Sequence, residues 1–374
     1  MINTIKYSIL LAFIVILASC QPTKRTDWKS GILVDEFVYD TASFPSCHAA
    51  TIAETTEGQL ITAFFGGTKE RNPDVCIWVC RKETDGWTDP QLVAEGFASG
   101  VKGLSDTVRY PTWNPVLYQV PNGELQLYYK IGPKPSDWYG FVRTSDDGGV
   151  TWSEQEALPQ GFIGPVKNKP VLLEDGTLIS GSSKEGDGWR VHFELTNDFG
   201  KSWDMIGPIN KGEQNGDHNV IQPSILDHGD GKLQILARSR SRRVATAWSA
   251  DYGKTWSEIS LTSLPQNNSG TDAVTMTDGR HVLVYNHTLD PEGKAKGPRT
   301  PLHMSVSDDG INWSAALILE DSPISQYSYP AVIQTSDGML HVVYTWRRLK
   351  IKHVEIDPSK LQLTKIDSLA WPSL

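Results

Sequence analysis

Apolar positions in this chain come in short alternating or near-continuous runs, and the runs come in pairs. A glycine turn separates each pair: Glu57-Gly58, Asn122-Gly123, Asp175-Gly176, Asp230-Gly231, Asp278-Gly279 and Asp337-Gly338. Such turns need positive φ, which glycine reaches without strain, so the pattern predicts β-hairpins. The paired runs are residues 51–53 and 59–65, 116–119 and 124–129, 171–173 and 177–180, 224–226 and 232–238, 273–276 and 281–285, and 331–334 and 339–344. The turn glycines lie 65, 53, 55, 48 and 59 residues apart. A period of about 40–60 residues in an all-β pattern predicts a six-bladed β-propeller, with four antiparallel strands in each blade.

A second repeat marks the outer hairpins. Ser145-Asp146-Asp147-Gly148-Gly149-Val150-Thr151-Trp152 is one copy, residues 196–203 and 249–256 are two more, and residues 307–313 form a copy one residue shorter. The aspartate is expected to accept backbone N–H bonds within the turn, and the tryptophan to pack back onto its blade. The first blade has only Asp85-Gly86-Trp87, and the last has no copy and is a strand short. Residues 32–39 can pair beside residues 351–356 and close the ring, which removes open sheet edges.

With 374 residues, 13 of them Trp, and with 32 Gly and 22 Pro, the composition suits many short strands and tight turns in one closed domain. The formal charge of -9 argues against nucleic acid as a partner.

The N-terminus reads as a targeting segment. Lys6 precedes a largely apolar run, residues 9–17, which is too short for a comfortable transmembrane helix. It ends Leu17-Ala18-Ser19-Cys20, which resembles the lipobox of bacterial lipoproteins. That resemblance implies a signal peptide over residues 1–19, lipidation of Cys20, a tether over 20–30 and a propeller over 31–374. Gln21 after the cysteine implies an outer-membrane lipoprotein, periplasmic or surface-facing. Cys76 and Cys80 share a strand face by their even spacing and, with Cys47, are expected to be buried thiols rather than a bridge. No zinc-binding spacing is present, and no metal or cofactor is expected.

In a propeller the starts of the inner strands and the ends of the second strands share one face. Residues expected to converge there are His48, Asn114, Lys167, Asn168, Lys169, Gln222, Asp272, Tyr327, Ser328 and Tyr329, joined by Glu70, Lys130, Lys184, Glu185, Arg238, Arg240, His287 and Arg347. So many polar groups in all six blades predict a ligand pocket.

The outer-hairpin repeat resembles the Asp-box, S-x-D-x-G-x-T-W, and with the blade pattern residues 32–357 resemble the sialidase superfamily. In that family three arginines clamp the substrate carboxylate, a tyrosine assisted by a glutamate is the nucleophile, and an aspartate is the acid/base. The resemblance implies Tyr327 as nucleophile, Arg238 and Arg299 as carboxylate ligands, and Asp74 or Glu70 as acid/base. Asn114, Lys169, Asp272 and Arg347 would line the substrate site. Two positions depart from the pattern: His48 stands for the first arginine and Gln222 for the glutamate, and an amide cannot take a proton from a tyrosine. Phe65-Gly66-Gly67-Thr68, Lys167-Asn168-Lys169-Pro170 and Tyr327-Ser328-Tyr329-Pro330 are similar to a divergent branch of predicted bacterial neuraminidases.

Three functions are compatible with these residues. The first is an exo-acting retaining hydrolase that removes a terminal carboxylated sugar from a glycan, acting as a monomer. The second is a uronate-directed lyase or glycosidase in which His48 or His287 is the acid/base, Tyr327 or Tyr329 its proton partner, and Arg238 the carboxylate neutraliser. The third is a non-catalytic glycan-binding lipoprotein with Trp113, Trp138, Trp189 and Trp346 as sugar-stacking platforms.

Overall fold

The computed structural model describes residues 26–211, 217–291, 294 and 296–373, so the leader and Cys20 lie outside the described residues. Strand β1 (Ile32–Phe37) leaves the first blade to others and completes the last. The first blade runs outward from β2 (Ser46–Glu54) through β3 (Leu60–Gly67) to β4 (Cys76–Glu83), whose outer edge pairs with the short β5 (Gly86–Trp87) and β6 (Gln91–Ala94). The second holds β7 (Thr112–Gln119), β8 (Leu125–Ile131), β9 (Tyr139–Ser145) and β10 (Glu156–Ala157). The third holds β11 (Val171–Leu172), β12 (Leu178–Lys184), β13 (Arg190–Thr196) and β14 (Asp204–Ile206), and the fourth β15 (Val220–Asp227), β16 (Leu233–Ser239), β17 (Arg243–Ser249) and β18 (Ser260–Pro265).

The fifth blade holds β19 (Asp272–Thr275), β20 (His281–Tyr285), β21 (Leu302–Ser307) and β22 (Ser314–Glu320). The last holds β23 (Tyr327–Gln334), β24 (Leu340–Trp346) and β25 (Lys350–Ile356). A final short strand, β26 (Thr364–Lys365), pairs with β22 at the rim of the fifth blade. Strand β1 pairs antiparallel with β25, so the ring closes by an N-terminal strand. Glu36 on β1 fastens it to both sides: its carboxylate accepts from Lys82 Nζ at 2.6 Å and Trp87 Nε1 at 2.9 Å in the first blade, and lies 3.0 Å from His353 Nδ1 in the last. All three further cysteines are free and buried.

The hydrophobic core is divided among the wedges between neighbouring sheets. Ile61, Ile77, Leu117 and Leu127 fill the wedge between the first and second blades, and Val282, Met304, Val332 and Val342 that between the fifth and sixth. The box tryptophans serve these wedges rather than their own blades. Trp256 of the fourth blade stacks on Phe193 of the third at 4.2 Å, and Trp203 of the third meets Tyr128 of the second edge-on at 6.2 Å. Splayed sheets would otherwise leave these gaps open to water.

The inner strands start earlier than their hydrophobic patterns indicate. Each of β2, β7, β15 and β23 carries a bulge near its start, at His48/Thr51, Trp113/Val116, Ile221/Ser224 and Ser328/Ala331. One residue in each bulge has positive φ: Ala49 at 56°, Asn114 at 26°, Gln222 at 57° and Tyr329 at 54°. In three of the four the next residue is proline, which has no N–H for the ladder. The equivalent positions on the axis are therefore Ala49, Asn114, Gln222 and Tyr329.

Candidate active site

Tyr329 is the centre of the polar cluster on this face. Its hydroxyl accepts from Arg238 Nη1 at 2.9 Å and from Gln222 Nε2 at 3.3 Å. Arg238, at the end of β16, is 5 % exposed and also donates Nε to Asn268 Oδ1 at 2.8 Å. The Arg299 guanidinium lies 5.3 Å from the Tyr329 ring centroid, and its Nη1 is buried with no hydrogen-bond partner. Lys167 Nζ lies 5.7 Å from the same ring, and the His48 ring packs against it at 4.1 Å.

Positive charge dominates this cluster. Burial first, then the charges of Arg348, Arg299, Arg238 and Lys167, push the His48 pKa well below its ordinary value, so the imidazole is neutral at physiological pH. Carboxyls border the cations. Glu70 Oε2 pairs with Arg348 Nη1 at 2.7 Å. Glu185 sits near Arg238 and Arg240 in the β12–β13 loop, where burial, opposed by those arginines, raises its pKa. Burial lowers the Arg299 pKa to about 10, which still leaves it charged at neutral pH.

Several residues expected at the site are engaged by other protein groups. Tyr327 is 1 % exposed, and its hydroxyl accepts from Arg347 Nε and Nη2, both at 3.3 Å, not from Arg238. The bulge explains the difference, because Tyr329 is the tyrosine at the position equivalent to Gln222. Arg347 is held by Tyr327 and by Ser322 Oγ at 3.4 Å. Lys169 and Asp272 satisfy each other at 2.9 Å, and Asp272 also accepts from Ser224 Oγ at 2.9 Å and Val332 N at 2.8 Å. This pair ties the third, fourth, fifth and sixth blades at the axis and has little left for a ligand. Asn114 is buried at its bulge, where its carbonyl accepts from Lys130 Nζ at 3.5 Å.

Asp74 is bound by the Thr68 amide at 2.8 Å and by the Thr68 hydroxyl. Burial raises its pKa, but the Thr68 bonds outweigh it and hold the carboxylate below its ordinary range. His287 is buried, bonded to Tyr285 Oη through Nδ1 and to the Leu369 carbonyl through Nε2 at 3.1 Å, so the C-terminal segment covers it. His48 lies in the cluster, its Nδ1 2.9 Å from Thr345 Oγ1. Tyr329 takes the central position, and Arg348 joins the cluster near His48. The Asn-Pro, Gln-Pro and Tyr-Pro dipeptides at 114, 222 and 329 are the sequence signal that aligns Tyr329 with the axis.

Residues 58–342 match the BNR repeat-like domain. The chain belongs to the BNR repeat-like family. Over 240 residues it is 22% identical to an anhydrosialidase of Macrobdella decora, covering 56% of this chain and 30% of the relative. Over 350 residues it is 21% identical to a sialidase of Micromonospora viridifaciens, covering 80% of this chain and 50% of the relative. The chain thus spans half or less of the curated relatives it matches. A crystal structure of a protein of unknown function from Dyadobacter fermentans superposes with a TM-score of 0.69 at 15% identity, covering 88% of this chain and 99% of that one, and shares its fold. In this chain Gln222 stands beside the central tyrosine and His48 packs against its ring.

Proposed function

We propose that this protein is an exo-acting, retaining glycosidase of the sialidase type, which removes a terminal carboxylated sugar from a glycan. The observation that carries the reading is the Tyr329 phenol held by Arg238, with Arg299 beside its ring and one Arg299 nitrogen buried without a partner. Guanidinium groups bind carboxylates through paired, charge-assisted hydrogen bonds, and an excess of cations over carboxylates favours an anionic ligand. A tyrosine nucleophile is the known exception to paired carboxylates in glycoside hydrolysis.

Tyr329 would attack the anomeric carbon as the bond to the leaving oxygen breaks. Gln222 cannot take the phenol proton, so it would pass to water, and the Arg238 hydrogen bond would stabilise the negative charge that develops on the phenolic oxygen. Glu185 would protonate the leaving oxygen. Its raised pKa suits a general acid, whereas Glu70 is engaged with Arg348 and Asp74 with Thr68. A lyase would need a histidine free to exchange a proton with substrate. His287 is covered, and His48 is buried among cations, which weakens it as a base. Cys20 would carry lipid and hold the propeller at the outer membrane, a reading supported by the apolar run that precedes it.

Release of free sialic acid from 3′-sialyllactose tests the activity. No release from this substrate or from other carboxylated glycosides would overturn it, and an unsaturated product absorbing in the ultraviolet would favour the lyase. Incorporation of a labelled fatty acid, lost in Cys20→Ser, tests the anchor.

A further inference from the structure

We propose that the wedge between the second and third blades is a second subsite, which holds a neutral pyranose ring of the glycan bearing the terminal acid. The inference rests on the glycosidase reading and adds a binding site to it.

This wedge is packed differently from its neighbours. Beside the Tyr128–Trp203 contact, its buried apolar cluster among the described residues is Trp113, Trp138, Ile163 and Val166. Buried polar groups take the rest: Glu194 accepts from the amides of Ile163 at 3.1 Å and Gly164 at 2.6 Å and lies 2.9 Å from His192 Nε2. Above them is a cavity of about 270 Å³, lined by Trp138, Ile163, Lys184, Gly186, Arg190 and His192 among others. That is the liquid volume of about nine waters, enough for one sugar ring.

The lining suits a carbohydrate. Trp138 is braced edge-on by Trp113, with centroids 6.0 Å apart, and offers an aromatic wall for the C–H face of a pyranose. Arg190 lies across the strand pair from Lys184, and its Nε is buried with no hydrogen-bond partner, a donor suited to a sugar hydroxyl. The cavity also adjoins the candidate active site. Its wall at Gly186 and Gly188 belongs to the β12–β13 loop, which carries Glu185 and Trp189, and Trp189 packs on Arg238 at 4.9 Å and Arg240 at 4.2 Å. A glycan whose acid meets Arg238 would extend along this loop.

The test is calorimetric binding of free sialic acid, lactose and 3′-sialyllactose, on a Tyr329→Phe background to suppress turnover. The readout is the ratio of affinity for sialyllactose to that for free acid in the same variant. Gly186→Trp fills the cavity from a position where an added Cβ meets nothing within 4 Å, and Arg190→Met removes the orphan donor. The expected result is a ratio well above one in the parent and a fall of about tenfold or more in both variants, with lactose binding lost in Gly186→Trp. Sialyllactose binding no better than free acid in the parent, or a ratio unchanged in both variants, would overturn the subsite. Failure of free acid to bind while lactose binds the parent and not Gly186→Trp would count against the glycosidase reading and for the subsite.

Discussion

Two tyrosines two residues apart have different surroundings, and this is the sharpest question at the scale of single residues. Tyr329 meets Arg238 and Gln222, and Tyr327 meets Arg347. Tyr329→Phe is therefore expected to lower kcat by about a thousandfold or more, and Tyr327→Phe to act mainly on stability. Equal losses in steady-state assays of the two would remove the nucleophile assignment. Glu185→Gln is expected to lower kcat/KM on a glycan substrate by about 10²–10⁴-fold, and much less on an aryl glycoside whose leaving group needs no proton. The burial that raises the Glu185 pKa would also place the alkaline limb of the pH–rate profile above the ordinary carboxylate range, and that limb should vanish in the glutamine variant. Sequence pattern put Arg238, Gln222 and His48 on this face, and the family resemblance added Arg299. It did not separate Tyr327 from Tyr329, because a bulge that shifts the strand register leaves no mark on hydrophobic alternation.

Among the elements, the box turns are the most self-contained. Asp147 accepts from Val150 N at 3.1 Å and Thr151 N at 2.8 Å, and from the hydroxyls of Ser145 and Thr151 at 2.8 and 2.6 Å. The Thr151 hydroxyl is the largest cause of a pKa lowered from 3.8 to about 2. A carboxylate whose folded pKa is depressed stabilises the protein fully above its unfolded value and loses that contribution as pH falls through the folded one. Thermal unfolding between pH 4 and pH 2 should therefore show a declining Tm, and Asp147→Ala should flatten part of the decline. Gly149→Ala is expected to be more severe. The glycine has φ of +86°, and an added Cβ would stand 2.2 Å from Ile61 Cδ1 in the neighbouring blade. Strain and overpacking together predict a loss of about 2–4 kcal/mol in chemical denaturation. These turns were legible because their hydrogen bonds span only a few residues. The docking of their tryptophans on the preceding blade was not, because that depends on how the sheets are placed.

For the whole molecule, the buried polar axis sets the constraint. Lys167 donates to Asn168 Oδ1 at 2.8 Å, the Thr271 carbonyl at 2.9 Å and the Pro330 carbonyl at 2.7 Å, so one side chain of the third blade reaches the fifth and sixth. Asp272, 1 % exposed, reaches three other blades. Asp272→Ala leaves Lys169 only its bond to the Ala273 carbonyl and leaves the Val332 amide and Ser224 hydroxyl without this acceptor, so a loss of about 2–4 kcal/mol is expected in chemical denaturation. A variant that unfolds as parent does would show that this pair does not brace the blades.

The sequence by itself determined the six-fold hairpin repeat, the box turns, the ring-closing strand and the face on which polar groups gather. All of these follow from local periodicity and turn chemistry, in which each residue answers to near neighbours. Only the tertiary structure decided which polar groups are spent on holding blades together and which remain for a ligand. Lys169 and Asp272 are 103 residues apart in the chain and satisfy each other, while Arg299 keeps a buried nitrogen without a partner. That division depends on distances between blades, and spacing along the chain does not encode them.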